Sequence, residues 1–313
     1  RMDAAPSSGR ASDASPSTPP STSAHPGWIH PSARSFYDSP EVRNAVRCKT
    51  RRGVLNLAVD AAWRRWQELK RPVLWLEFGV WKGTDIAHIA GKLREKWGTS
   101  RSSGGGDLSS GAPVIHGFDS FQGLPQDWKK GNAESETAAF PKGAFDLFGI
   151  PPIVAGDNVK LHRGWFEDTL PGFLDESRGN LLRHASTAAA FSASSEWTAS
   201  KSEKNSVSKE TKKKPVLFVH ADADLYSSTF FFLQQLFTRN LIVKGTILVF
   251  DEFTNYDGWE HGESLAWRET TIKFGVTFEY LAIHAPKDDD DVSNDFKHGY
   301  QSVCVLVLSV GGR

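Results

Sequence analysis

The sequence predicts an α/β fold: a doubly wound, seven-stranded, mostly parallel sheet whose last strand runs antiparallel. Three observations predict it. Short continuous apolar runs alternate with segments of helical spacing, the pattern of parallel strands covered by helices on both faces. Glycines and carboxylates follow these runs, where the carboxyl edge of such a sheet would lie. The last two runs stand close together with no strong helical pattern between them, as an antiparallel pair allows.

The elements follow in order. Val54, Leu57, Ala58 and Ala61 keep helical spacing. Val73 to Phe78 (VLWLEF) reads as a buried first strand, and Ile86, Ile89, Ala90 and Leu93 mark the next helix. Val114 to Phe118 is a second strand and Val159 to His162 a weaker third. Val216 to Val219 is a fourth, followed by a helical pattern from Leu225 to Phe237. Thr246 to Phe250 is a fifth strand; Phe278 to Ile283 and Ser302 to Ser309 are the sixth and seventh.

Residues 1–26 are rich in Ser, Pro and Ala and are expected to form a disordered tail, because they have little apolar surface to offset the entropy of ordering. Residues 27–313 are expected to form a single domain with low-complexity insertions near 99–112 (TSRSSGGGDLSSGA) and 185–214, the second ending in Lys212, Lys213 and Lys214. The lysine run and the acidic run Asp288 to Asp291 read as solvated loops. Of the 313 residues, 39% are hydrophobic and 24% charged, within the globular range. Lysine plus arginine equals aspartate plus glutamate, 37 each, which disfavours a nucleic-acid partner. No apolar run reaches the roughly 20 residues that span a bilayer. Cys48 and Cys304 provide neither a disulfide framework nor a zinc cluster. A cytoplasmic compartment is favoured, and the start at Arg1 points to a processed or partial N-terminus. A homo-oligomer is compatible with this composition.

The chemistry concentrates at the strand ends. Leu76-Glu77-Phe78-Gly79-Val80-Trp81-Lys82-Gly83 ends the first strand and opens a helix. Such a turn either lets a ligand approach backbone N–H groups or simply joins strand to helix. Trp81 occupies the second glycine of a dinucleotide fingerprint, so a pyrophosphate fits poorly, and Glu77 suits an ammonium better than a phosphate. The second strand ends in Asp119-Ser120, where a carboxylate can accept both hydroxyls of a ribose or cap the next turn. Trp165 and Phe166 follow the third strand and can stack on a purine or join the core. His220-Ala221-Asp222-Ala223-Asp224 follows the fourth strand, and Asp251-Glu252 the fifth. If those strands are neighbours, Asp222, Asp251 and Glu252 converge, and carboxylates so placed repel unless protonated or sharing a cation. Hard oxygen ligands suit Mg²⁺, Mn²⁺ or Ca²⁺; helix capping by Asp222 or Asp224, with Glu252 a surface acid, is the alternative reading.

Together these segments resemble the macrocin O-methyltransferase family of class I S-adenosylmethionine-dependent methyltransferases. The resemblance covers most of residues 70–285 and rests on LEFGVWKG, GFDSFQGLPQDW, KGAFD at 142–146, NVKLHRGWFEDTLP, FVHADADLYSST and ILVFDEF, in that order. It implies that Glu77, Phe78, Gly79 and Gly83 border the methionine part of S-adenosylmethionine. Asp119 would hold the ribose with Ser120 beside it, and Trp165 and Phe166 would border the adenine. It further implies that Asp222, Asp251 and Glu252 hold Mg²⁺ or another divalent cation. The acceptor would be a small molecule, a sugar or glycoside. Two departures stand out: Glu252 where the family more usually has a second aspartate, and Trp81 in place of the middle glycine of the turn. Lys142 and Asp146 would belong to a lid, by analogy with the family.

Methyl transfer requires alignment of the acceptor oxygen and removal of its proton. His261, ten residues beyond Asp251, is the candidate base, with Tyr256 and Trp259 nearby. A non-catalytic methyltransferase-fold binding protein and a nicotinamide dehydrogenase are the rival readings. The acidic, ribose-type and metal-type positions argue against the first, and the missing GxGxxG against the second. Deleting residues 190–212 and rejoining the ends with a short linker should leave the fold intact, since the stretch has little apolar surface. Thermal melting checks this; a large drop in midpoint would show that the segment packs on the domain.

Overall fold

A computed structural model describes residues 31–69, 71–102, 111–128, 140–177, 214–285 and 299–311. The strands are β1 (Val46–Cys48), β2 (Leu74–Phe78), β3 (Ile115–Asp119), β4 (Val159–Arg163), β5 (Val216–Ala221), β6 (Ile247–Phe250), β7 (Thr277–His284) and β8 (Val303–Ser309). The helices are α1 (Arg34–Tyr37), α2 (Arg51–Leu69), α3 (Thr84–Ser102), α4 over residues 166–177, α5 (Tyr226–Thr238) and α6 (Glu263–Phe274). One eight-stranded sheet runs in the order β1-β7-β8-β6-β5-β2-β3-β4. Only β8 is antiparallel to its neighbours, β6 and β7.

The predicted fold class holds, with one strand more than expected. The addition is β1, which pairs parallel with β7 and forms the sheet edge. It is three residues long with Val46 half exposed, too short and too solvated to register as an apolar run. The expected antiparallel pair of the last two strands therefore lies one place in from that edge. Helix α6 was also unmarked, because its inner face carries Glu263, Ser264, Thr270 and Thr271 beside Ala266 and Trp267, while Ile272 points outward. Buried polar residues hide the apolar period that betrays a helix. Residues 99–102 extend α3 instead of opening a loop. The proposed tail 1–26, residues 103–110 of the first insertion, residues 185–213 of the second and Asp288 to Asp291 lie outside the described residues. Among the described residues no helix is long and apolar enough to cross a membrane.

Alternation along the strands divides the core in two. Trp75, Ile115, Phe218 and Val249 meet Val54, Ala58, Ile86 and Leu93 of α2 and α3. Leu76, Phe118, Val219 and Phe250 meet Leu170, Phe232, Leu236 and Trp267 of α4, α5 and α6. Helices on both faces leave the sheet's carboxyl edge as the open end. The chain winds from β2 outward to β3 and β4, then returns to β5 on the other side of β2, so the direction reverses between β2 and β5. A crevice at such a reversal is where doubly wound folds place ligands.

Under α4, His116 of β3 and His162 of β4 face each other, Nδ1 to Nε2 at 3.0 Å, against Phe173. Burial, with His162, Lys160 and Lys214 adding repulsion, pushes the His116 imidazole down to about 3. In the unfolded chain the same ring takes a proton near pH 6.5. Between those values the unfolded state binds more protons, so stability should fall as pH drops below about 6.5. His116→Phe should flatten the dependence of the melting midpoint on pH between about 6.5 and 4.5. An unchanged slope would show that this ring does not supply it.

Candidate functional site

Register builds the site. Phe118 pairs with Phe78, Phe78 with Ala221, and Ala221 with Phe250. One residue further on, Asp119, Gly79, Asp222 and Asp251 therefore stand side by side at the carboxyl edge. They border a cavity of about 930 Å³, whose lining carries eight acidic residues against four basic ones. That imbalance favours cationic or hydroxyl-rich ligands over phosphates.

The glycine turn is shaped by the protein itself. At Gly79, φ is +85°, and an added Cβ would collide with the Asp222 carbonyl oxygen. At Gly83, φ is +78°, and a Cβ would press on Val154 at 2.7 Å. The N–H groups of Val80 and Trp81 both donate to Asp119 Oδ2, each at 2.8 Å. Asp119 Oδ1 accepts from the Phe121 N–H at 2.6 Å. Turn and carboxylate thus form one unit: Asp119 caps its own turn and also lines the cavity. The N–H groups a pyrophosphate would need are already taken. Ser120 is buried and accepts from Gln122 N–H through its hydroxyl.

Glu77 and His220 are register partners on β2 and β5, both 1% exposed, with Oε2 and Nδ1 3.3 Å apart. Burial pulls the imidazolium down, but Glu77, with Asp222 and Asp85 behind it, lifts it to about 9. Glu77 lines the cavity and His220 does not. Phe78 turns the other way, stacked between Phe118 and Phe232 at 5.2 and 4.1 Å, and does not line the cavity. Trp165 and Phe166 do line it, Phe166 with its edge against Phe78.

The carboxylates divide. Asp222, Asp224 and Glu252 each offer an oxygen within 4.8 Å of the others, the spacing of a cation site. Asp224 adopts a left-handed backbone, φ +60°, which aspartate tolerates. Glu252 Oε2 is shielded from solvent with no hydrogen-bond partner. Burial, then the neighbouring acids, raises the Glu252 and Asp222 carboxyls well above the usual range. Asp251 behaves differently: burial raises it, but Arg51, His220 and the Ser302 hydroxyl together more than compensate and hold it low. Arg51, in the first turn of α2, pairs with Asp85, Asp222 and Asp251. Helical spacing alone gave no sign of Arg51 or Asp85, since the contacts come from packing α2 and α3 against the edge. Glu263 was missed as well. Fully buried at the start of α6, it accepts from Ala223 N–H, Glu252 N–H and the Thr229 hydroxyl at 3.3–3.4 Å, tying the loops after β5 and β6 together.

His261 lies in the 3₁₀ turn Trp259–His261, exposed, and does not border the cavity. Residues 121–128 and 140–148 form a flap beside the cavity. Trp128 bridges to Phe140 and Gln122 to Asp146, and Leu124, Trp128 and Leu225 form a third small core with Phe140, Ala144 and Phe145 packed on it. Trp128, Phe140, Lys142 and Phe145 line the cavity; Asp146 does not. Trp81 meets Phe145 edge-on, with the Lys82 ammonium 4.3 Å above its ring.

No protein-family model matches this chain, and no curated protein matches it. Among solved structures it is similar to the calicheamicin methyltransferase CalS11, at 17% identity and a TM-score of 0.45 over 82% of this chain and 80% of that one. It is similar also to the O-methyltransferase NovP, at 18% identity and a TM-score of 0.44 over 86% and 88%. Likenesses this remote leave function and substrate to be decided at the site.

Glu263→Ala should destabilise the fold by about 1–3 kcal/mol for each loop N–H left buried without an acceptor. Denaturant unfolding measures it; a loss below about 1 kcal/mol would mean that the loops hold their own shape.

Proposed function

We propose that this chain is an S-adenosylmethionine-dependent O-methyltransferase that acts on a hydroxyl of a sugar or another small polyhydroxylated acceptor, with a divalent cation on the acceptor side. The observation that carries it is the acid-lined crevice at four adjacent strand tips, with Asp119 beside the glycine turn and Asp222, Asp224 and Glu252 across from it. The resemblance of the same segments to the macrocin O-methyltransferase family supports the reading.

The residues fit the cofactor. Asp119 spends three contacts on backbone N–H groups, and two carboxylate oxygens accept about four, so capacity remains for a ribose hydroxyl. Trp165 and Phe166 offer aromatic faces near the same end. The acidic lining suits a ligand that carries an ammonium and a sulfonium. The residues fit a cation too, since Glu252 Oε2 has no partner and three hard oxygen donors converge. A divalent ion held there lowers the pKa of a bound hydroxyl. The side chains orient the acceptor and exclude water, with Trp128, Phe140 and Phe145 supplying apolar walls against which a sugar ring can rest. The position of His261 gives no support to a role as base, and the cavity carboxylates are the nearer proton acceptors.

S-adenosylhomocysteine should raise the melting midpoint and NAD should not. Asp119→Ala should weaken S-adenosylhomocysteine by about 1–3 kcal/mol in calorimetry. Methyl transfer to a sugar acceptor should fall sharply in EDTA and return with Mg²⁺. No shift with S-adenosylhomocysteine would remove the methyltransferase reading, and full activity in chelator would remove the cation.

A further inference from the structure

The resemblance assigns Asp251 to the cation, yet the geometry gives it another partner. Arg51 Nε donates to Asp251 Oδ1, and Arg51 Nη2 reaches both Asp85 Oδ2 and Asp222 Oδ2, the latter at 3.1 Å. Asp251 Oδ1 also accepts from the Ser302 hydroxyl at 2.9 Å, and the Asp251 N–H is bonded to Ala221 O. The Asp251 side chain is 7% exposed and that of Asp222 28%. Asp251 is thus anchored from two sides behind the edge, whereas Asp222, Asp224 and Glu252 converge in front of it.

A guanidinium keeps its charge at any physiological pH and forks across two carboxylates at once. A divalent ion on Asp251 would have to displace it or sit beside it against like charge. We propose that Arg51 is a positioning residue: it takes Asp251 as its counter-ion and steadies Asp222 from behind, leaving the cation to Asp222, Asp224 and Glu252. This rests on the cation reading given above. It reverses the roles of the two aspartates: Asp224 ligates, and Asp251 holds the arginine. Arg51 also pairs with Asp85 and Asp222, two of a second group of three, Asp85, His220 and Asp222, whose ligand atoms lie within 4.8 Å of one another. One fixed organic cation there removes the need for a second metal.

Mn²⁺ alone is the probe, titrated into the full chain and followed by electron paramagnetic resonance. S-adenosylhomocysteine affinity and thermal melting serve as checks on the fold. Asp224→Asn should weaken Mn²⁺ by about tenfold or more, the scale of loss at a metal site. Asp251→Asn should keep Mn²⁺ affinity within about threefold of the unaltered protein's, well short of such a loss. Arg51→Met should bind Mn²⁺ more tightly or take up a second ion, because three carboxylates lose their counter-charge; a merely structural arginine would lower affinity along with stability. If Arg51→Met does not fold, Asp224→Asn against Asp251→Asn decides alone. Loss of Mn²⁺ binding in Asp251→Asn with retention in Asp224→Asn would overturn the assignment. Absence of Mn²⁺ binding by the unaltered protein would remove the cation reading itself, and this assignment with it.

Discussion

Everything at the carboxyl edge depends on the alignment of β3, β2, β5 and β6. Because Phe118, Phe78, Ala221 and Phe250 share one register, the next residue of each strand arrives at the same height. A one-residue slip in any strand would send its entire inner face outward. The heavy packing on both faces makes that slip prohibitive: Phe78 is clasped by Phe118 and Phe232 on one side of the sheet, and Trp75 lies on Phe218 on the other. Core packing therefore sets where the carboxylates stand, and the same aromatic residues that carry no chemistry fix the geometry of those that do.

The alignment brings like charges together, which costs free energy unless it is offset locally. Three devices share the task. Asp119 is neutralised by the turn it caps. Asp251 and Asp85 are held by Arg51, with Arg52 adding a second contact to Asp85. Glu77 shares its burial with His220. These devices leave the front group of Asp222, Asp224 and Glu252 only partly compensated, Asp222 by Arg51, above Glu263, which burial and its acidic neighbours raise to about 8. The residual charge is thereby concentrated where a cation would act.

The fold class, seven of the eight strands and the acidic edge were legible in the sequence because continuous apolar runs and the residues that end them are local signals. Strand β1 and helix α6 were not, one being too short and the other carrying its buried face in polar residues. At the site, Asp119, Asp222 and Glu252 are marked by their positions just past the end of an apolar run. Arg51, Asp85 and Glu263 carry no such mark, since each reaches the edge from a helix whose position only packing determines. The place of Asp251 after β6 was legible, yet its partner Arg51 was invisible without α2. Phe78 shows the converse: a residue next to the cavity-lining Gly79 can belong wholly to the core, because neighbouring positions on a strand face opposite ways.

The flap has a core of its own. Trp128, Leu124 and Leu225 pack with Phe140 and Phe145, apart from the two large cores on either face of the sheet. Its bridges, Trp128 to Phe140 and Gln122 to Asp146, join residues of the flap to one another. Phe121 also belongs to the large core beneath α2 and α3, and Leu225 stands just before α5, so this wall of the cavity is tied to the sheet from both sides and its shape follows the packing below it.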